Sequence, residues 1–126
     1  AQGADNAGLP APKALAVTVL TSDSDAPPHI MPKRAAMAVE AGCQGIVCAA
    51  EDLDDARQLA PRLVRVVPGI RPEGSDHHDQ SRAATPTTAV SHGADLLVIG
   101  RAVTQADDPA AAASAIAAEV DRALDR

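Results

Sequence analysis

Two segments of this 126-residue chain each consist of a run of mostly apolar residues followed by an arginine. Segment 66–71 reads VVPGIR and ends in Arg71, and segment 96–101 reads LLVIGR and ends in Arg101. The guanidinium of arginine is planar and carries five N–H donors, which suits phosphate and carboxylate groups. Gln80 lies between the two segments, and its amide can donate two more hydrogen bonds. These residue types predict an anion site and favour a phosphate monoester as its ligand.

The segments that must position these residues alternate between two periodicities. Short apolar runs rich in Val, Ile and Leu are typical of buried strands, and segments with capping residues and apolar residues three or four apart are typical of helices. Strands are predicted at 13–20, 44–49, 63–67 and 95–99, and helices at 33–41, 51–59, 85–91 and 107–124. Segment 1–12 shows no period and is expected to be a loop or a frayed start.

This alternation predicts an α/β fold of four consecutive βα units with parallel strands in a single domain, 1–126. A closed (β/α)8 barrel needs about 200 residues or more, so four units amount to half of one. In a parallel sheet both arginines would lie at the carboxyl edge, where α/β proteins bind ligands. Gly69 and Gly74 flank Arg71, and each can take a positive φ or let a ligand approach the backbone.

The composition and net charge of the chain disfavour some functions and cellular locations. A net charge of −6 disfavours nucleic acid or an anionic membrane as the main partner. There is no apolar run of 18 residues and no signal-peptide pattern at the start, so a cytoplasmic protein is the default expectation. Cys43 and Cys48 are interpreted as two buried free thiols of a reducing compartment. The chain contains no Phe, Tyr or Trp, so its core must be built from smaller aliphatic residues.

Four potential metal ligands stand in a row at 76–79, with the sequence DHHD. Adjacent residues rarely converge on one ion without a folded frame, and no distant set of partners is evident. We therefore expect a solvated loop and no metal site. His29 lies in the Pro-rich loop 23–32 and is likewise expected to be solvated.

The ordered motifs of the chain resemble those of the orotidine 5'-phosphate decarboxylases. The runs PGIRPEG, DQSR, TP and GADLLVIGRAVTQADDP are similar to the C-terminal part of that family. ALAVTVLTS at 14–22 and GCQGIVCAAED at 42–52 match the same family in the same order. The resemblance extends over roughly residues 10–126 and implies the last four units of a decarboxylase barrel. Loop 23–32 is shorter than in the family, which puts a lid function there in doubt.

The resemblance implies conversion of orotidine 5'-monophosphate to uridine 5'-monophosphate without metal or organic cofactor. It implies a substrate-binding role for five residues and no catalytic residue in this chain. The five are Thr21, Arg71, Gln80, Gly100 and Arg101. The family's catalytic Asp-x-Lys-x-x-Asp array belongs to the first half of its barrel. Lys13 and Lys33 are the only lysines here, and neither has that spacing.

Several alternatives remain open at this stage. A half-barrel exposes two strand edges, so we expect either a homodimer or a partner chain that carries the first half; an open monomeric sheet is a third option. The chain would then be inactive alone. A non-catalytic phosphate-binding half-barrel that self-associates is the alternative function. A pentulose-phosphate barrel enzyme fits the DQSR and GRAVT runs less well.

Overall fold

The computed structural model describes residues 1–74 and 83–125. Its four strands form one parallel sheet in which each strand pairs with the next one along the chain, in the order β1-β2-β3-β4. The strands are β1 Leu15–Val17, β2 Gly45–Val47, β3 Val64–Val67 and β4 Leu96–Leu97. This topology confirms the predicted α/β fold of consecutive βα units, although each strand is shorter than its predicted segment.

Helices connect the strands and follow the last one. They are α1 Gln2–Asn6, α2 Ile30–Glu40, α3 Leu53–Leu59, α4 Pro86–Ser91, α5 Arg101–Thr104 and α6 Pro109–Leu124, with a 3-10 turn at Ala50–Asp52. The predicted caps are present: the Thr85 side chain accepts a hydrogen bond from the backbone N–H of Thr88 (3.1 Å), and that of Asp108 accepts one from Ala111 (3.0 Å). Within 1–74 and 83–125, the helices all fall short of the length and apolarity that a membrane span requires.

Three differences between the predicted and the observed helices are the largest. Part of segment 1–12, predicted as a loop or a frayed start, forms the short helix α1. No residue of α1 is buried, so the sequence has no apolar period there that would predict a helix. Helix α2 starts three residues early and contains Pro32, which the first turn tolerates because its N–H would have no partner there. The short helix α5 was not predicted.

The two faces of the sheet differ in their surroundings. The strand register aligns Ala16 with Ile46 and Val67 with Leu97, and these residues face the helices. Ile46 and Val67 are fully buried there. Much of the rest of the core is alanine and aliphatic residues from the helices and loops: Val19, Met31, Ala35, Ala38, Cys48, Leu53, Ala56, Ala60, Ile70 and Ala89.

The opposite, concave face of the sheet is largely exposed. Five large apolar side chains on this face are 37–56% exposed: Leu15, Val17, Val64, Leu96 and Val98. The prediction of a buried strand at 13–20 is therefore wrong for β1, because the described helices cover only the other face of the sheet. A separate cleft of about 490 Å³ lies between β4, α4 and α6, and Leu124 at its rim is 65% exposed.

Gly45 of β2 is required by the packing on the concave face. A Cβ atom there would lie 2.6 Å from Leu15 Cδ2 and 2.8 Å from the backbone oxygen of Val64. Because a backbone oxygen in a paired strand cannot move away cheaply, we expect Gly45→Ala to lower the free energy of unfolding by about 1–3 kcal/mol. Urea denaturation followed by far-UV circular dichroism measures this change.

Gly3→Ala is the matched control, since a Cβ at Gly3 meets no atom within 4 Å. Its free energy of unfolding should stay within about 0.5 kcal/mol of that of the unsubstituted chain. Equal stabilities for the two variants would contradict the tight packing of Leu15 over β2.

Candidate anion-binding site

The loop after β3 is held to the start of α4 by a parallel bridge between Ile70 and Ala84. The Arg71 N–H donates to the Ala84 carbonyl (2.9 Å), and the Ala84 N–H donates to the Gly69 carbonyl (3.3 Å). Gly69 and Gly74 have φ values of 73° and 80°, as predicted for glycines that shape this loop. The bridge therefore fixes the backbone on either side of Ile70 at the carboxyl edge of the sheet.

Arg71 is buried, with a relative exposure of 5%. One guanidinium nitrogen, Nη1, donates to the Ile70 carbonyl at 3.2 Å. The Nε atom is fully buried and has no hydrogen-bond partner among the described residues. Leaving a buried donor unpaired costs about 1–3 kcal/mol, and more for a charged group. A buried guanidinium whose Nε has no partner among the described residues has the chemistry to hold an anion at the carboxyl edge.

Arg101 lies at the corresponding position of the neighbouring strand. Val67 of β3 pairs with Leu97 of β4. Arg71 comes four residues after Val67, and Arg101 comes four residues after Leu97. Adjacent strands are about 4.8 Å apart, so the two arginine backbones start from neighbouring points of the same edge. Gly100 precedes Arg101 as the N-cap of α5, and the Arg101 side chain is partly buried.

Thr21 lies at the same edge but at the far side of the sheet. It follows β1 by four residues and is 7% exposed. Three strand spacings separate β1 from β4, which is roughly 14 Å along the sheet. Thr21 and Arg101 could therefore both contact one ligand if its polar groups were well separated. Gln80 lies outside the described residues, as does the 76–79 run that was considered for metal.

The structure contains polar contacts that sequence reasoning missed. Asp95, predicted to begin the last strand, forms an ion pair with Arg65 (Nη2 to Oδ2, 3.0 Å), and Arg65 Nε also donates to the Gly93 carbonyl (2.7 Å). Glu119 of α6 accepts hydrogen bonds from both the N–H and the hydroxyl of Thr87. Such pairs lie about 30 residues apart, and no local pattern marks them.

Other predicted residues fall outside the arginine edge. His29 is exposed, as expected. Both cysteines are free; Cys48 is buried, but Cys43 is only partly buried, which corrects the expectation of two buried thiols. Within 1–74 and 83–125 no three His, Cys, Asp or Glu side chains converge as metal ligands.

Replacing Arg71 tests whether it serves stability or ligand binding. Met has a similar volume and no unsatisfied donor, so Arg71→Met should leave the free energy of unfolding unchanged or raise it by about 1–3 kcal/mol. Urea denaturation followed by circular dichroism is suitable, because the chain has no aromatic fluorophore.

Arg65→Met is the control, since Arg65 is also mostly buried but has an ion pair and a backbone acceptor. It should lower the free energy of unfolding by roughly 1.5–3 kcal/mol. If Arg71→Met destabilised the chain as much as Arg65→Met, Arg71 would be a structural residue.

Comparison with known families matches nearly the whole chain. The family model described as Orotidine 5'-phosphate decarboxylase / HUMPS family matches residues 1–116. The orotidine 5'-phosphate decarboxylase of Thermobifida fusca is 43% identical over 124 residues, which cover 90% of this chain and 53% of the relative. That of Pseudomonas paraeruginosa is 45% identical over 122 residues, covering 88% and 52%. The chain thus spans about half the length of these curated relatives.

Solved structures agree. The orotidine 5'-phosphate decarboxylase of Lactobacillus acidophilus superposes with a TM-score of 0.71 at 33% identity, over 91% of this chain and 54% of that one. The enzyme of Sulfolobus solfataricus shares the fold with a TM-score of 0.74 at 21% identity, over 98% and 54%. The four parallel βα units correspond to about half of these TIM barrels. This chain belongs to the orotidine 5'-phosphate decarboxylase / HUMPS family.

Proposed function

We propose that this chain is the phosphate-binding half of an orotidine 5'-phosphate decarboxylase, acting in pyrimidine biosynthesis in the cytoplasm. The single observation that carries the proposal is the buried guanidinium of Arg71, whose Nε lacks a partner in the described structure. A phosphate dianion at the carboxyl edge would give that donor an acceptor and would offset the cost of burying the charge.

Four groups make up the proposed phosphate grip. Arg71 and Arg101 come from equivalent positions after neighbouring strands, and the backbone N–H of Gly100 lies between them in the chain. Gln80, which the family resemblance places at the phosphate, adds amide donors. Binding energy from this remote group can be used to stabilise the transition state at the reacting carbon.

The extent of the carboxyl edge fits a nucleotide. Thr21 lies about three strand spacings, roughly 14 Å, from the Arg101 end of the sheet. A nucleoside monophosphate has its phosphate and base at opposite ends of the ribose, so one molecule can contact both positions. Thr21 is accordingly proposed to contact the pyrimidine or the part of the ligand near it.

The chemistry itself requires groups that this chain lacks. Decarboxylation breaks the bond between the pyrimidine carbon and the carboxylate, leaves its electron pair on that carbon, and then needs a proton donor. The family supplies charge stabilisation and the proton from an Asp-x-Lys-x-x-Asp array. Lys13 and Lys33, the two lysines of this sequence, have Ala11 and Met31 two positions earlier instead of aspartate. The chain on its own is therefore proposed to bind nucleotide without turning it over.

The concave face of the sheet supports the need for a second half. Parallel sheets are normally covered on both faces, and here large apolar side chains of β1, β3 and β4 remain exposed on one of them. A complementing half-barrel would cover this face and pair with both sheet edges. Either a chain that carries the first four units or a second copy of this chain can supply that geometry.

A non-catalytic scaffold that self-associates is the second candidate, and the same exposed face favours it. The two functions differ in what happens when a first half from a relative is added. Decarboxylation of orotidine 5'-monophosphate by the mixture would assign the chain to the enzyme. Nucleotide binding without turnover in that mixture would favour the scaffold.

Arg101→Ala should weaken binding of uridine 5'-monophosphate by roughly 1.5–3 kcal/mol, the loss of a hydrogen bond to a charged group. Isothermal titration calorimetry measures this affinity directly. Uridine should bind the variant as it binds the unsubstituted chain, because it has no phosphate.

Arg122→Ala is the matched control, since Arg122 is an exposed arginine near the end of α6. Unchanged titration of Arg101→Ala by the nucleotide would remove Arg101 from the site. An equal loss in Arg122→Ala would point to a general charge effect.

Light scattering of the purified chain should give twice the 12.8 kDa of one chain, because burying the concave face strongly favours association. Uridine 5'-monophosphate should lower the dissociation constant of that dimer if the phosphate grip forms in a completed barrel. Leu96→Glu, which places a charge on the exposed face, should return the mass to that of a monomer. A monomer that ignores the nucleotide would contradict self-completion.

A further inference from the structure

The carboxylate of Glu119 in α6 forms hydrogen bonds with the first turn of α4. Glu119 Oε1 accepts a hydrogen bond from the Thr87 N–H (3.2 Å) and another from the Thr87 hydroxyl (2.9 Å). Thr87 is the second residue of α4, so its N–H has no partner within its own helix. Both side chains are partly buried, which makes these charge-assisted bonds stronger than exposed ones.

The turn that Glu119 holds is continuous with the arginine loop. Thr85 caps α4, and the residue before it, Ala84, forms the parallel bridge to Ile70. Through that bridge the Arg71 N–H is bonded to the Ala84 carbonyl and the Ala84 N–H to the Gly69 carbonyl. These two bonds tie the backbone of the loop to the start of α4.

We propose that Glu119 is a positioning residue, which acts through Thr87 and Ala84 to hold the backbone of Arg71 at the carboxyl edge of the sheet. Its effect on ligand binding rests on the proposed phosphate site. Its effect on the loop does not, because the hydrogen bonds run between residues of this chain. No contact between Glu119 and a ligand is required.

Glu119→Ala tests this role, because it removes the acceptor of both Thr87 hydrogen bonds. Alanine is the best helix former, so the substitution does not weaken α6 itself. Asp125→Ala is the matched control: it removes the same charge from the end of the same helix, where Asp125 is exposed. Glu119→Gln keeps an amide oxygen where Oε1 lies and should restore most of the effect.

Amide hydrogen exchange of the full chain tests the proposal without any ligand. In Glu119→Ala the amides of Arg71 and Ala84 should exchange about tenfold faster, the opening expected from losing a charged acceptor. The amides of α6 and of β2 should keep their rates. Asp125→Ala should match the unsubstituted chain, and Glu119→Gln should lie close to it. Unchanged exchange at Arg71 and Ala84 in Glu119→Ala would overturn the proposal.

Titration with uridine 5'-monophosphate separates this inference from the proposed function. If the exchange result holds, Glu119→Ala should weaken nucleotide binding about fivefold or more, with a smaller change for uridine. If Arg71→Met loses nucleotide binding while amide exchange in Glu119→Ala is unchanged, the proposed phosphate site is supported and the positioning role of Glu119 is refuted. Faster exchange with no nucleotide binding by any form of the chain would support the tether and refute the phosphate site.

Discussion

A parallel sheet places the carboxyl ends of all its strands at one edge and needs cover on both faces, and these two constraints organise this molecule. The first constraint brings Arg71 and Arg101 to neighbouring points, because each follows its strand at the same offset. Within the described residues the second is met on one face only, where alanine-rich helices pack against Ile46 and Val67. The same topology thus brings two arginines to one edge of the sheet and leaves large apolar side chains exposed on the other face.

The burial of Arg71 lowers the stability of the chain. The guanidinium is 5% exposed, and its Nε has no hydrogen-bond partner among the described residues, which costs free energy. Arg65, in contrast, is an arginine with a carboxylate and a backbone oxygen as partners, and it joins β3 to the turn before β4. Two arginines six residues apart therefore differ in their bonding environment, and residue type alone does not reveal this difference.

Local patterns were sufficient for the fold but not for its long-range contacts. Apolar runs and caps such as Thr85-Pro86 predicted the order of strands and helices, because these signals depend on nearby residues. The common edge of Arg71 and Arg101 followed from parallel pairing. The burial of Arg71 and the bonds from Glu119 to Thr87 could not be predicted, since they depend on how distant segments pack. The exposure of β1 was missed because a strand from the middle of a barrel has the same apolar sequence whether or not the facing half is present.

Helix α6 contacts α4, the helix that follows the arginine loop. Ile116 anchors it, with 5% exposure, while Glu119, one turn further along, bonds the first turn of α4. Apolar packing between α4 and α6 is incomplete, because a cleft of about 490 Å³ is lined by Val90 of α4 and by Ala113 and Ile116 of α6. The hydrogen bonds from the Thr87 N–H and hydroxyl to Glu119 are therefore a specific contact between the two helices. The proposed positioning of the arginine loop depends on this polar contact, which apolar packing alone would not provide.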